Sequence, residues 1–330
     1  MVSRRTFVSS LAATAVAGSA LEARAAGEIR LGYSAWPGWF PWKVAEAKGL
    51  FLKNGVNVKM VWFDDYTASI TALSAGKIDG NSETTNDAIS AVAGGAPRTI
   101  VLTNDNSSGN DQVIAKTAIA DVKALVGKNV AVEFGLVDHF LLLLALQKAG
   151  IAQTAVKIKA LPTDKAAAAF AGGKVDACAV FAPFTTVALK TNLGHTIASS
   201  KEFPGAIPDH LVLNPAFVKA RPADVQKIVK TWFDTLAYIK ENPAESVAIM
   251  AKRAGVSVDD YASYDSGTHI FNLAENLTSF APGSTIAHLT TSGKMMSSFL
   301  LKTGLTKKSV DVGAMLDARF VKAYAAAHPA

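Results

Sequence analysis

The sequence predicts an α/β protein of two similar lobes, and three observations carry that expectation. Strand-like and helix-like segments alternate along the first two thirds of the chain. The same succession occurs twice, about a hundred residues apart. Both copies close on one short motif, Gly-Lys-(Ile/Val)-Asp-(Gly/Ala), which places Lys77 and Lys174 97 positions apart. Strict alternation implies βαβ units and mostly parallel sheets covered by helices on both faces. Chance similarity of two βαβ units would explain the order of elements but not the shared closing motif.

In the first copy, residues 28–33 read as an apolar strand. A helix follows and ends near Ala47-Lys48-Gly49-Leu50, then comes a strand at 56–62 and a helix through 69–73. In the second copy the strand is 129–133, the Leu-rich helix ends near Lys148-Ala149-Gly150-Ile151, and strand 156–161 leads to a helix through 166–170. Each closing motif has a physical reading: Gly caps a helix in a left-handed turn, Lys sits at its negative end, and the apolar residues after it begin a short buried strand. From about Pro222 the chain reads as helices at 223–240, 244–253, 285–301 and 310–327, expected to pack on the first lobe and complete it. Ligands of open parallel sheets bind beyond the carboxyl ends of the strands. The loops after Tyr33, Trp62, Gly80, Glu133, Leu161 and Ala177 are therefore the ones to inspect, around a cleft between the lobes.

The N-terminus carries an export pattern. Ser3-Arg4-Arg5-Thr6-Phe7-Val8 is a twin-arginine motif, residues 8–21 are uncharged, and Ala23-Arg24-Ala25 offers a small-x-small cleavage site. The stretch is too short and Ala-rich to span a bilayer. Residues 1–26 are thus expected to be a signal peptide cleaved near Ala25-Ala26, leaving a periplasmic chain of about 305 residues. Half of the sequence is hydrophobic, 18% is charged, and the formal net charge is +6. The Lys residues are scattered, with no basic block that would suit a nucleic acid. A single cysteine, Cys178, excludes an internal disulfide and a Cys-based metal cluster, and its strand-like flanks predict a buried, inert thiol. His139, His195 and His210 are isolated, and neither Gly-x-Ser-x-Gly nor His-Glu-x-x-His occurs, so no catalytic set, cofactor or metal is expected.

Several motifs carry a family resemblance. Leu31-Gly32-Tyr33-Ser34-Ala35-Trp36-Pro37-Gly38-Trp39, Ala47-Lys48-Gly49-Leu50-Phe51, Leu73-Ser74-Ala75-Gly76-Lys77-Ile78-Asp79 and Val137-Asp138-His139-Phe140-Leu141-Leu142 together resemble the nitrate/sulfonate/taurine-type substrate-binding proteins of ABC importers. Trp36-Pro37-Gly38-Trp39, Trp62-Phe63-Asp64 and the run from Asn104 to Asp111 resemble the branch associated with urea-carboxylase, guanidine-related gene regions. The resemblance implies a type II-like periplasmic binding fold with two crossing segments, near 104–111 and 199–213. The first lobe would comprise 27–105 and 206–330, the second 106–205. It implies a monomeric receptor that hands a small solute to a membrane permease. An exported enzyme on the same fold, or a ligand sensor, are the competing classes.

The candidate ligand residues are Ser34, Trp36, Trp39, Asp64, Glu83, Thr85, Asn86, Asp105, Glu133, Asp138 and Phe181. Ser34 and nearby backbone N–H groups could hold a polar group, and the tryptophans could either stack on a ligand or cover the core. Asp64 or its neighbour Asp65 could instead cap a helix, as could Thr84 or Thr85, while Glu83 could face the cleft. Glu133 ends a strand, and Asp138 could be only a first-turn charge. Phe181 could give an apolar wall. These loops carry carboxylates and no Arg, which favours a cationic, guanidine-like solute over a sulfonate, taurine or nitrate anion.

Overall fold

The computed structural model describes residues 27–329; the predicted signal peptide, cleavage site and twin-arginine motif lie outside them. No helix among the described residues is long and apolar enough to cross a membrane. Among the described residues, eleven strands build two sheets: β1 (Ile29–Tyr33), β2 (Val58–Trp62), β3 (Gly80–Thr84), β4 (Thr99–Ser107), β5 (Asp111–Lys116), β6 (Asn129–Val132), β7 (Lys157–Ala160), β8 (Ala177–Phe181), β9 (Gly194–Ser199), β10 (Pro208–Leu213) and β11 (Thr268–Ile270). The first sheet runs β11-β4-β10-β3-β1-β2 and the second β7-β6-β8-β5-β9. The chain passes from the first sheet to the second between Ser107 and Asp111, and returns between Ser199 and Pro208.

The α/β architecture is the one expected, but the sheets are mixed rather than mostly parallel. β1 pairs in parallel with β2 and β3, and β6 with β7 and β8, as βαβ units require. The strands reached directly from the other sheet run the opposite way: β10 is antiparallel to β3 and β4, and β5 to β8 and β9. A strand entered without a crossover helix has no reason to keep the βαβ direction.

The closing motif has the same bonds in both copies. Gly76 and Gly173 take φ of +66° and +70°, which end the preceding helices in the left-handed region that Gly adopts without penalty. Asp79 then bonds to strand β1 twice, its N–H donating to the Arg30 carbonyl at 2.8 Å and its carboxylate accepting from the Arg30 N–H at 2.9 Å. Asp176 repeats both bonds on Asn129 of β6, at 3.0 and 2.9 Å. The conserved-looking Asp of the repeat is thus a strand-pairing clip in each sheet. Cys178 is fully buried in β8, and burial raises its thiol far from reactivity.

The helix Pro222–Glu241 buries Val225, Ile228, Val229, Trp232 and Phe233, a stripe at helical spacing. Trp232 meets Trp42 of the helix Pro41–Ala47 at 4.6 Å, fixing the C-terminal region onto the first sheet. The helix Leu289–Thr303 departs from the expectation, because Phe299 also packs on Phe140 beside the second sheet at 5.3 Å. Residues 310–327 are not one helix either. A 3-10 turn at Val312–Met315 gives way to extended chain, where Leu316 bridges Ile100 and the Asp317 N–H donates to the Ile100 carbonyl at 2.9 Å. Only then does the helix Arg319–Ala327 begin. The pairing with β4 outweighs the local helical pattern. β11 and the helix Leu273–Phe280, capped by Asn272 and Glu275, were not legible in the hydrophobic pattern.

Candidate functional site

The candidate site lies where the two sheets face each other. Its floor is a row across three strands: Thr84 on β3, Asp209 on β10 and Asp105 on β4 are register partners. Side chains on one strand alternate faces, so Glu83 on β3 and its register partner His210 on β10 point to the opposite face; on β4 the pairing shifts register at this point. That alternation explains why Glu83 does not face the cleft. Its carboxylate is fully buried and accepts from Arg98 Nε at 3.1 Å and Asn81 Nδ2 at 3.3 Å. Arg98 Nη2 in turn donates to Ser74 Oγ at 2.7 Å. Burial pushes the Glu83 carboxyl up, and the Arg98 charge opposes that rise.

Thr85 and Asn86 are likewise turned away from the cleft. Thr85 Oγ1 sits 2.6 Å from His210 Nε2, a ring that burial keeps neutral by lowering its pKa to about 3. Asn86 Nδ2 donates to Asp87 Oδ1 at 2.6 Å. Thr84 caps the helix Thr85–Ala93 through the Asp87 N–H, and Asp65 caps the helix Tyr66–Ser74 through the Ala68 N–H. Both caps were among the alternatives open in the sequence.

The sheet-facing loop after β1 completes the inner part of the site. Trp36 Nε1 donates to Asp105 Oδ1 at 2.9 Å. Gly38 lies directly on the Asp105 carboxylate, where a Cβ would overlap its oxygens. Trp39 packs on Tyr66 at 5.3 Å. From the second sheet, Phe181 at the end of β8 meets Trp36 at 6.1 Å and Tyr66 at 6.4 Å, both edge to face. These rings border a narrow inner cavity of about 10 Å³, lined also by Thr84, Val137, Ile207 and the carboxylates Asp111 and Asp209. A narrow outer cavity, also of about 10 Å³, shares Tyr66 and Phe181 with it. It is lined by Ser34, Asp64, Asp65, Glu133, Thr163, Asp164 and Phe184 among others.

The electrostatics of the inner cavity are lopsided. Asp105, Asp111 and Asp209 are fully buried, and Asp105 Oδ2, Asp111 Oδ2 and both Asp209 oxygens have no donor among the described residues. Burial pushes Asp105 and Asp111 up to about 7, and raises Asp209 further with the help of the Asp105 charge. Asp105 and Asp209 face each other and can hydrogen-bond only by holding a proton between them. Among the described residues, no Lys, Arg or His lines either cavity. His269 Nε2, on the neighbouring strand β11, is engaged with Glu275 at 2.7 Å. Buried polar groups are ordinarily satisfied, so these unpartnered carboxyl oxygens leave acceptors open toward the cavity.

The outer residues divide differently. Ser34 is buried with an unpartnered hydroxyl, and Asp64 accepts from Trp62 Nε1 at 2.7 Å. Glu133 accepts from Thr67 Oγ1 at 2.5 Å and from Thr163 Oγ1 at 2.7 Å. Asp138 does not line either cavity; it lies buried behind Thr163 at 2.6 Å, so its expected ligand contact is replaced by an internal one. His139, lowered to about 4 by burial, accepts from the Gly135 N–H at 3.2 Å and is structural. Tyr66, Asp111 and Asp209 escaped the choice of site residues. Asp111 stood at the end of the first crossing segment, and Asp209 precedes the apolar run of β10; a charge opening a buried strand was the available signal.

A family model described as the NMT1-like family matches residues 22–255. The taurine-binding periplasmic protein of Escherichia coli is 26% identical over 230 residues, covering 67% of this chain and 71% of that protein. The alkanesulfonate-binding protein SsuA of Xanthomonas axonopodis pv. citri, bound to MOPS, superposes with a TM-score of 0.76 at 19% identity, over 88% of this chain and 98% of that one. The desulfurization enzyme DSZB shares the fold at 14% identity, with a TM-score of 0.65 over 91% and 99% of the two chains. The chain belongs to the NMT1-like family, and its two-sheet architecture is the fold of the periplasmic substrate-binding proteins.

Proposed function

We propose that this chain is the extracytoplasmic solute receptor of an ABC importer, and that it binds a small nitrogenous cation of guanidinium type in the inner cavity. The sheets and their attached helices act as two lobes, 27–105 with 206–330 and 106–205, that close on the solute and present it to a membrane permease. The observation that carries the ligand class is the pair of carboxylates with unpartnered oxygens, Asp111 and Asp209, lining a cavity walled by Trp36, Trp39, Tyr66 and Phe181, with Asp105 beside Asp209. Planar cations with several N–H donors match carboxylates through charge-assisted bonds and aromatic faces through cation–π contact. A receptor role needs no reacting group, and it is in keeping with this that Cys178 is buried and that burial holds His139 and His210 neutral.

The relatives' names support a second reading, in which the solute is a sulfonate, taurine or nitrate. An anion in the inner cavity would face two buried carboxylates, Asp111 and Asp209, which is costly unless both are protonated. Isothermal titration of the purified, export-matured monomer against guanidinium, methylguanidinium, urea, taurine, an alkanesulfonate and nitrate decides between them. One-to-one binding of guanidinium without turnover is the expected result. Binding confined to sulfonates or nitrate overturns the cation reading, and consumption of the ligand overturns the receptor reading.

A further inference from the structure

Glu133 lies at the cleft mouth, yet its carboxylate is already fully used by hydroxyls. Oε1 accepts from Thr67 Oγ1 at 2.5 Å, and Thr67 belongs to the helix Tyr66–Ser74 beside the first sheet. Oε2 accepts from Thr163 Oγ1 at 2.7 Å, and Thr163 opens the helix Thr163–Ala171 beside the second sheet. Thr163 Oγ1 is also 2.6 Å from Asp138 Oδ2. A hydroxyl has one proton to give. It cannot donate to both carboxylates, so one of the two contacts needs a proton on a carboxyl group. Asp138 is the place for it: Glu133 already has a second donor in Thr67, whereas Asp138 Oδ1 has no partner among the described residues. Burial raises both carboxyls, but Asp138 more: the Glu133 charge adds to its rise, whereas the Thr67 and Thr163 hydroxyls oppose that of Glu133.

We infer that Glu133 is an inter-lobe latch and not a ligand contact: its ionised carboxylate ties the Thr67 hydroxyl of one lobe to the Thr163 hydroxyl of the other, with protonated Asp138 donating to Thr163 from behind. The latch closes the outer cavity over Tyr66 and Phe181, the two rings that separate it from the inner one. It therefore sets how long the lobes stay shut, while Asp111 and Asp209 set what is held. The inference rests on the two-lobed receptor reading, but not on the identity of the solute.

Thr67 is exposed and makes its bond through a side chain at the surface of its helix, so Thr67→Val removes the hydroxyl with little risk to folding. The test compares wild type, Thr67→Val and Thr67→Ser in two measurements: the radius of gyration by small-angle scattering without ligand, and koff for guanidinium by stopped flow. Thr67→Val is expected to raise the radius of gyration and to speed koff roughly tenfold, as loss of a hydrogen bond to a charged group implies. Thr67→Ser, which keeps the hydroxyl, restores both values. If Thr67→Val matches wild type in compactness, the latch is overturned, whatever the solute. If guanidinium does not bind any of the three proteins while Thr67→Val still expands, the ligand assignment fails and the latch stands.

Discussion

Two buried acidic groups of the first sheet sit one residue row apart and are provided for in opposite ways. Glu83 has Arg98 at 3.1 Å, with both side chains at most 2% exposed, and every donor of that guanidinium has an acceptor. Asp209 and Asp105, on the other face, have each other and Trp36, but no positive charge. Desolvation acts on both rows; only the first is compensated from within the chain. A folded protein tolerates an ion pair as structure, whereas uncompensated carboxylates around a cavity are stabilised by whatever cation enters. The difference separates the carboxylate that holds the sheet from those beside the cavity.

The largest expected effect breaks the compensated row. Glu83→Gln leaves Arg98 buried without its counter-charge and should lower the unfolding free energy by about 3–5 kcal/mol in urea titration. A variant as stable as wild type would mean the pair is not structural. Asp209→Asn should do the reverse, keeping or improving stability near neutral pH while weakening guanidinium binding by about 2–5 kcal/mol in calorimetry. Equal affinity for the variant would remove Asp209 from the site.

Trp36→Phe keeps the ring against Phe181 but deletes the Nε1–H donated to Asp105, a bond of the charged class worth about 1.5–3 kcal/mol. Affinity should change at least as much as melting temperature if Trp36 positions Asp105 for the solute. A loss seen only in stability would make it a core residue.

The smallest effect is in pH. Asp105 and Asp111, pushed up to about 7 by burial, keep protons in the folded state that the unfolded chain has already released above its carboxylate range near 4. The folded state therefore binds more protons in that window, and stability without ligand falls as pH rises through it. The buried His139 and His210 act oppositely below about 6.5, where the unfolded chain takes protons that they refuse. The clean window is pH 6.5–8, where a decline of about 1 kcal/mol per carboxyl is expected. Asp111→Asn should flatten it, and guanidinium should bind more tightly as pH rises. A flat wild-type melting profile across that window would contradict the assignment.

Much of this was legible in the residues. The paired Gly-Lys-(Ile/Val)-Asp motifs announced two related units, and each Asp makes the same two strand bonds. The Trp36-Pro37-Gly38-Trp39 loop announced itself by two costly aromatics, and it does sit on Asp105. Other choices failed for identifiable reasons. Glu83 and Thr84 are neighbours on one strand, so only one of them could face the cavity, and local sequence does not say which. Arg98 lies outside every candidate loop and neutralises Glu83 from 15 positions away. Asp209 and Asp111 joined the site because two crossing segments bring their strands together, a placement with no local signature.

The sequence by itself determined the element succession, the repeat, the capping residues and the acidic, aromatic character of the loops, because these follow from short-range periodicity and backbone chemistry. The tertiary structure decided which carboxylates are neutralised, which way each strand runs and which hydroxyl meets Glu133. Those outcomes depend on desolvation and charge distance between residues far apart in the chain, and such quantities exist only once the two sheets face each other.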